Sequence, residues 1–242
     1  MKLLPFEAHR KTTNNLHVLI DDNRRYFVKC YLGPKKSARK TREKQVLMHW
    51  KAAGFDVPDI VEMNVPGLDE PYIVTGYVEG PSLHEYLSQD GPSTEEKLKV
   101  VTRVFEELAR RHGQAIGERD RKLIHHDPSS GNIICRGEKL SFVDFESPPK
   151  SRCTVSESAS IELATLCRWI VRDLGPKFLE QTLKLMVTAY KGREPLLNLV
   201  VKRTTARPFQ FYHRWKNQRF KTVHPNDVTK YDIADALMHI IT

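Results

Sequence analysis

The chain has 242 residues, with 39 Lys and Arg against 30 Asp and Glu for a net charge of +9. That length supports one large domain or two small ones with a sizeable core, and the positive balance suits an anionic partner such as a nucleotide, nucleic acid, acidic lipid or phosphorylated sugar. No stretch approaches the ~18 uncharged apolar residues of a membrane-spanning helix, and the apolar run within residues 1–11 is too short for a signal peptide. The four cysteines, Cys30, Cys135, Cys153 and Cys167, form no CxxC pair, which argues against a disulfide frame or a zinc site and for a reducing, cytoplasmic setting.

Residues 16–20 and 26–31 are β-rich runs joined by Asp21-Asp22-Asn23, and they predict a hairpin. After Gly33-Pro34 a helix is expected over residues 37–53, ended by Gly54, with Glu43, Val46, Leu47 and Trp50 on one face. Residues 71–75 predict another strand. Glu79-Gly80-Pro81-Ser82 is a break that opens a short helix at 83–87, and it divides the chain into an N-terminal part, 1–79, and a C-terminal part, 80–242. Ser93-Thr94-Glu95-Glu96 has the form of a helix start, and Leu98, Val101, Phe105, Leu108, Ala109 and His112 follow at helical spacing. Ile133 to Cys135 and Leu140 to Asp144 read as two short strands around a turn at 136–139. From about Ser156 the periodicity is helical, with the clearest segments at 157–173 and 177–190.

The chemistry concentrates in His125-His126-Asp127-Pro128-Ser129-Ser130-Gly131-Asn132, followed twelve residues later by Asp144-Phe145-Glu146. Phosphoryl transfer from a nucleotide needs a carboxylate to position and deprotonate the acceptor hydroxyl, and oxygen ligands to hold Mg²⁺ on the phosphates. Asp127 suits the first role; Asn132 and Asp144 suit the second. Asn132 leads into one strand of the predicted hairpin and Asp144 ends the other, so both side chains are expected at one edge.

This H-x-D-x-x-x-x-N, D-F-x order resembles the catalytic loop and metal-binding turn of the protein-kinase-like superfamily. The resemblance covers residues 16–146. It implies an α+β, two-lobed fold: a small N-terminal antiparallel sheet lobe with one helix, and a mainly helical C-terminal lobe. It implies ATP and Mg²⁺ as cofactors, Lys29 as the strand lysine on the phosphates, Glu43 as its helical partner, and backbone groups of Gly76 and Val78 on the adenine edge.

The chain also departs from that pattern. No glycine precedes Gly33, so a Gly-rich loop over the phosphates is missing and the backbone near residues 10–15 must serve instead. Glu146 stands where the motif has glycine, and no A-P-E sequence follows. These features are similar to the bacterial lipopolysaccharide core sugar kinases and to aminoglycoside and choline phosphotransferases, in which Glu146 would add a metal contact. They imply transfer to a hydroxyl of a sugar or other small molecule, with an anionic lipid-linked acceptor and peripheral contact with the inner membrane compatible with the charge. Ser129, two positions after Asp127, instead resembles the RIO kinases and the small kinase of the tRNA threonylcarbamoyl-modification complex, which act on proteins or as ATPases. A nucleotide-binding regulatory pseudokinase and a basic RNA-associated module are the further alternatives, with nucleic acid ranked behind a small acceptor.

Plainer readings stand beside these. Asp127 and Asn132 are also common turn residues, and Lys29 is compatible with a solvated edge strand. Adjacent His125 and His126 point apart and lack a third ligand, so a structural His125 bonded to loop backbone is expected rather than a metal site. The stretch from Arg214 to Lys221 mixes cations and aromatics, as nucleic-acid surfaces do; a solvated helix face with buried aromatics is the expectation. Leu163, Cys167 and Ile170 are expected in the core.

Overall fold

The computed structural model describes residues 1–7, 13–150, 152–205, 210–223 and 227–241. It divides into two compact units, Met1–Ser82 with Gly131–Pro149, and Leu83–Ser130 with Lys150–Thr242. The first unit therefore takes in the segment carrying Asn132 and Asp144 as well as the N-terminal part.

In the first unit, β1 (Lys2–Pro5), β2 (Asn15–Asp21), β3 (Arg24–Cys30) and β4 (Tyr72–Gly76) form an antiparallel sheet in that order. Asp22 and Asn23, both at positive φ, make the two-residue turn whose twist suits a tight hairpin. β1 was not expected; a four-residue edge strand ending in proline carries little alternation to read. One sheet face buries Leu19, Val28, Cys30 and Val74 with Val65. Between β3 and β4 runs α1 (Lys36–Ala52), which buries Glu43, Leu47 and Trp50, as its periodicity predicts. Trp50 is fully buried, and its ring lies 5.5 Å from Phe142 and 4.6 Å from Phe145. Those two phenylalanines belong to and follow the hairpin of β5 (Ile133–Arg136) and β6 (Lys139–Phe142), so one indole locks α1 to the segment around Asp144.

The second unit is helical. It comprises α2 (Leu83–Ser88), α3 (Thr94–Glu118), α4 (Val155–Leu174), α5 (Leu179–Ala189), α6 (Glu194–Thr205), α7 (Gln210–Val223) and α8 (Lys230–Ile241). Ser93 and Glu96 close a capping box at the start of α3, and Thr154 and Glu157 do the same for α4, each satisfying amide donors that a helix start leaves open. α4 packs against α3, α5, α6 and α8, with Leu163, Cys167 and Ile170 wholly buried. The four cysteines are buried thiols. Among the described residues, no helix is long and apolar enough to cross a membrane. The architecture is the two-lobed α+β arrangement, an antiparallel-sheet lobe with one helix and a mainly helical lobe.

One expectation fails in α7. Arg214 pairs with Asp235 and Lys221 with Asp232 on α8, so cations occupy the side turned to the neighbouring helix. Phe211, Tyr212, Trp215 and Phe220 are exposed rather than buried.

Candidate functional site

In the first unit the site grows from the centre of the sheet. β3 is flanked by β2 and β4, and Lys29 is 5% exposed, so the solvated edge lysine is excluded. Its Nζ lies 2.8 Å from Glu43 Oε2 and 3.1 Å from Glu146 Oε2, and it also donates to Asp144 Oδ1. Burial opposes the ammonium charge, but Glu43, Asp144 and Glu146 together hold the Lys29 pKa above its ordinary value. Glu43 is the most enclosed of the three acids. Burial raises its carboxyl pKa against the pull of Lys29, and the Tyr31 hydroxyl donates to it at 2.6 Å.

Asp144 does not end a strand as expected. β6 stops at Phe142, and Asp144 sits at φ +68, in the left-handed region that aspartate tolerates better than most residues. The turn has a purpose in packing: it lets Phe145 reach Trp50 and lets the Phe145 amide donate to Glu43 Oε1 at 3.4 Å. Asn132 precedes β5, and its carbonyl accepts from the Val143 amide at 3.0 Å. Gly76 ends β4 with its amide donating to the Asp59 carbonyl at 2.8 Å; Val78 follows, half-buried.

Sequence reasoning did not find the arginines here. Arg39 Nη2 donates to Glu146 Oε1 at 2.6 Å and to Asn14 Oδ1 at 2.8 Å, while Asn14 Nδ2 donates to Glu146 Oε2 at 2.9 Å. Arg42 Nη1 donates to the Glu146 carbonyl at 2.9 Å. Glu146, in place of a motif glycine, is thus tied to Lys29, Arg39 and Asn14. Of the segment expected to cover the phosphates, residues 10–15, residues 10–12 lie outside the described residues; Asn14 belongs to its described part. Glu43, Asp144 and Glu146 each offer an oxygen within 4.8 Å of the others. Such a hard-oxygen set fits Mg²⁺ in donor type.

In the second unit Asp127 is exposed, and its amide donates to His125 Nδ1 at 3.3 Å. His125 is buried and bonds loop backbone, as expected. The scaffold beneath it was not anticipated. Glu162 on α4, 2% exposed, accepts from Arg111 Nη1 at 3.2 Å, from His112 Nε2 at 3.0 Å and from the His125 amide at 3.0 Å. Arg111 also donates to the Leu123 carbonyl at 2.7 Å. Burial works against the Glu162 charge, yet Arg111 and His112 hold its carboxyl well below the usual carboxylate range. His112 Nδ1 accepts from the Tyr190 hydroxyl at 2.7 Å, and burial depresses the His112 pKa, so the neutral ring donates through Nε2. Asp173 receives the Ser130 hydroxyl and stands 2.9 Å from His84 Nδ1. Glu162 lies three residues after Ala159 and four before Leu166 on the buried face of α4; the reasoning that singles out Glu43 on α1 applies to it equally.

A stretch of 110 residues, 46% of this chain, is 31% identical to the KEOPS complex subunit Bud32 of Pyrococcus abyssi, covering 44% of that protein. A second stretch of 96 residues, 39% of the chain, is 28% identical to the probable serine/threonine-protein kinase PkwA of Thermomonospora curvata, covering 12% of it. Over these stretches the chain is similar to proteins of the protein-kinase-like superfamily. No family model matches it, and it spans less than half the length of these curated relatives. The kinase-like reading thus rests on partial matches together with a lysine, a helical glutamate and a D-F-x aspartate that meet in the first unit.

Proposed function

We propose that the protein is an ATP-dependent phosphotransferase that moves the γ-phosphoryl group to a hydroxyl of a sugar or other small molecule. The observation that supports this most directly is the buried Lys29–Glu43 pair meeting Asp144, since a preorganised cation beside a carboxylate is what phosphate anchoring requires. In this reading Lys29, oriented by Glu43, binds the α- and β-phosphates, and backbone groups of Gly76 and Val78 bond the adenine edge. Asn132 and Asp144 would hold Mg²⁺, with Glu146 as a further oxygen donor. When bound, the ion neutralises charge on the phosphates. Asp127 accepts the proton of the attacking hydroxyl, and its exposure leaves room for a bulky acceptor. The missing A-P-E segment and Glu146 in place of glycine favour the small-molecule acceptor over a protein.

The 31% match to a protein named as a KEOPS subunit favours a second reading, a protein Ser/Thr kinase or ATPase of the tRNA-modification type. Mg²⁺-dependent ADP release, measured for the wild type and Asp144→Ala with core sugars, other small alcohols and protein extract as acceptors, separates the two. Stimulation by a sugar that vanishes in the variant supports the first; turnover raised by protein, or by no acceptor, supports the second. No turnover in either protein moves the assignment to a nucleotide-binding pseudokinase.

A further inference from the structure

α7 carries four Lys or Arg residues and no acid. Two of these cations, Arg214 and Lys221, are committed to Asp235 and Asp232 on α8. At 100° per residue, Trp215, Arg219, Tyr212, Val223, Lys216 and Phe220 fall on the opposite half of the helix. All six are exposed, Val223 by 73%. A surface helix ordinarily turns its apolar stripe inward; α7 turns its stripe outward and intersperses cations along it.

We infer that this outer face of α7 docks on an anionic lipid surface. Aromatic rings beside Lys and Arg are the composition that settles at a headgroup boundary, where the rings enter the apolar edge and the cations meet lipid phosphates. Charge decides against a second copy of the same face, because cation would meet cation. Geometry decides against single-stranded nucleic acid. Tyr212 stacks on Trp215 with centroids 5.9 Å apart, and the Arg219 guanidinium lies 4.6 Å from the Trp215 centroid, so the indole at the middle of the stripe is engaged by both neighbours along the helix. A base platform needs an open ring face; lipid insertion needs only the apolar edge. The inference does not depend on which hydroxyl the enzyme phosphorylates.

The test is co-sedimentation of the full chain with phosphatidylcholine vesicles and with vesicles containing phosphatidylglycerol, with single-stranded RNA as a parallel probe. Binding is expected only to the anionic vesicles. It should weaken at least about tenfold in Lys216→Glu/Arg219→Glu and several-fold in Phe220→Ala/Val223→Ala, while circular dichroism and vesicle-free ADP release stay as in the wild type. Absence of binding to anionic vesicles, binding unchanged in both variants, or RNA binding lost in the variants without any vesicle binding would each overturn the inference. A charge-reversal variant that fails to fold leaves the aromatic variant to decide, since its two side chains project to solvent.

Discussion

Lys29 Nζ and Glu43 Oε2 stand 2.8 Å apart with each side chain 6% exposed, an ion pair between the middle strand of the sheet and the buried face of the one helix packed in that lobe. Removing Lys29 leaves the carboxylates of Glu43, Asp144 and Glu146 facing one another without the ammonium they share, which costs about 3–5 kcal/mol. Lys29→Met, which fills the same volume, is therefore expected to lower the urea midpoint sharply and to abolish ADP release. Glu43→Ala should be milder in stability because Lys29 keeps Asp144 and Glu146 as partners. Equal stability losses in the two variants would count against this account.

Asp144→Asn separates chemistry from conformation. Asparagine tolerates the left-handed backbone that Asp144 adopts, so the turn into Phe145 should persist and stability should change by less than about 1 kcal/mol. The negative charge facing Lys29 is gone. Mg²⁺-dependent ADP release is expected to fall by at least about 100-fold, and a variant that keeps wild-type turnover would remove Asp144 from the chemistry.

Gly80 is a backbone requirement. It sits at φ +127, and a Cβ there would come within 2.2 Å of the Cys135 carbonyl oxygen, next to the bridge between Ser82 and Ile134. Gly80→Ala must both strain the backbone and push the β5 segment away, and a loss of roughly 2–4 kcal/mol is expected by denaturant titration. Gly137, at positive φ but with open space around it, should lose about 1 kcal/mol on the same change.

The Glu162 network predicts a direction with pH. The folded His112 pKa is depressed, so below the ordinary value of 6.5 the unfolded chain takes up a proton that the folded chain refuses. His126, depressed by its own burial, acts the same way. Stability is thus full above that value and falls as the pH drops from about 7 to about 5. The depressed Glu162 carboxyl adds a second loss at more acid pH, through and below its ordinary value of 4.5. Urea midpoints across this range should shift down with acid, and His112→Gln should flatten the upper part of the curve.

Much of this was legible in the sequence, for physical reasons that can be named. The Ser93 helix start, the Asp22-Asn23 turn and the stripe through Glu43, Leu47 and Trp50 are local features, and local sequence signals carry them. Glu43 was recognisable because a carboxylate on a buried stripe needs a cation. Arg39 and Glu146 were harder: 107 positions separate them, and nothing around an arginine on the first turns of α1 says that it will close on a distant carboxylate. Glu162 was readable in principle, but its partners Arg111 and His112 sit on another helix, where an arginine within an apolar run looks solvated. The outward turn of the α7 aromatics depended on which of its residues α8 would claim, and only the Asp232 and Asp235 contacts decide that.

Glu43 and Glu162 share a device. Each is a buried helical carboxylate that accepts a main-chain amide from a loop of the candidate site, Phe145 in one unit and His125 in the other. Because the tether grips the peptide backbone, loop side chains that do not themselves anchor the fold can be exchanged while the chain path is kept. Under the proposed phosphotransfer reading this marks Pro128, half-buried beside the exposed Asp127, as a position to randomise when seeking new acceptors, and it marks buried Ser129 and the two glutamates as positions to leave untouched.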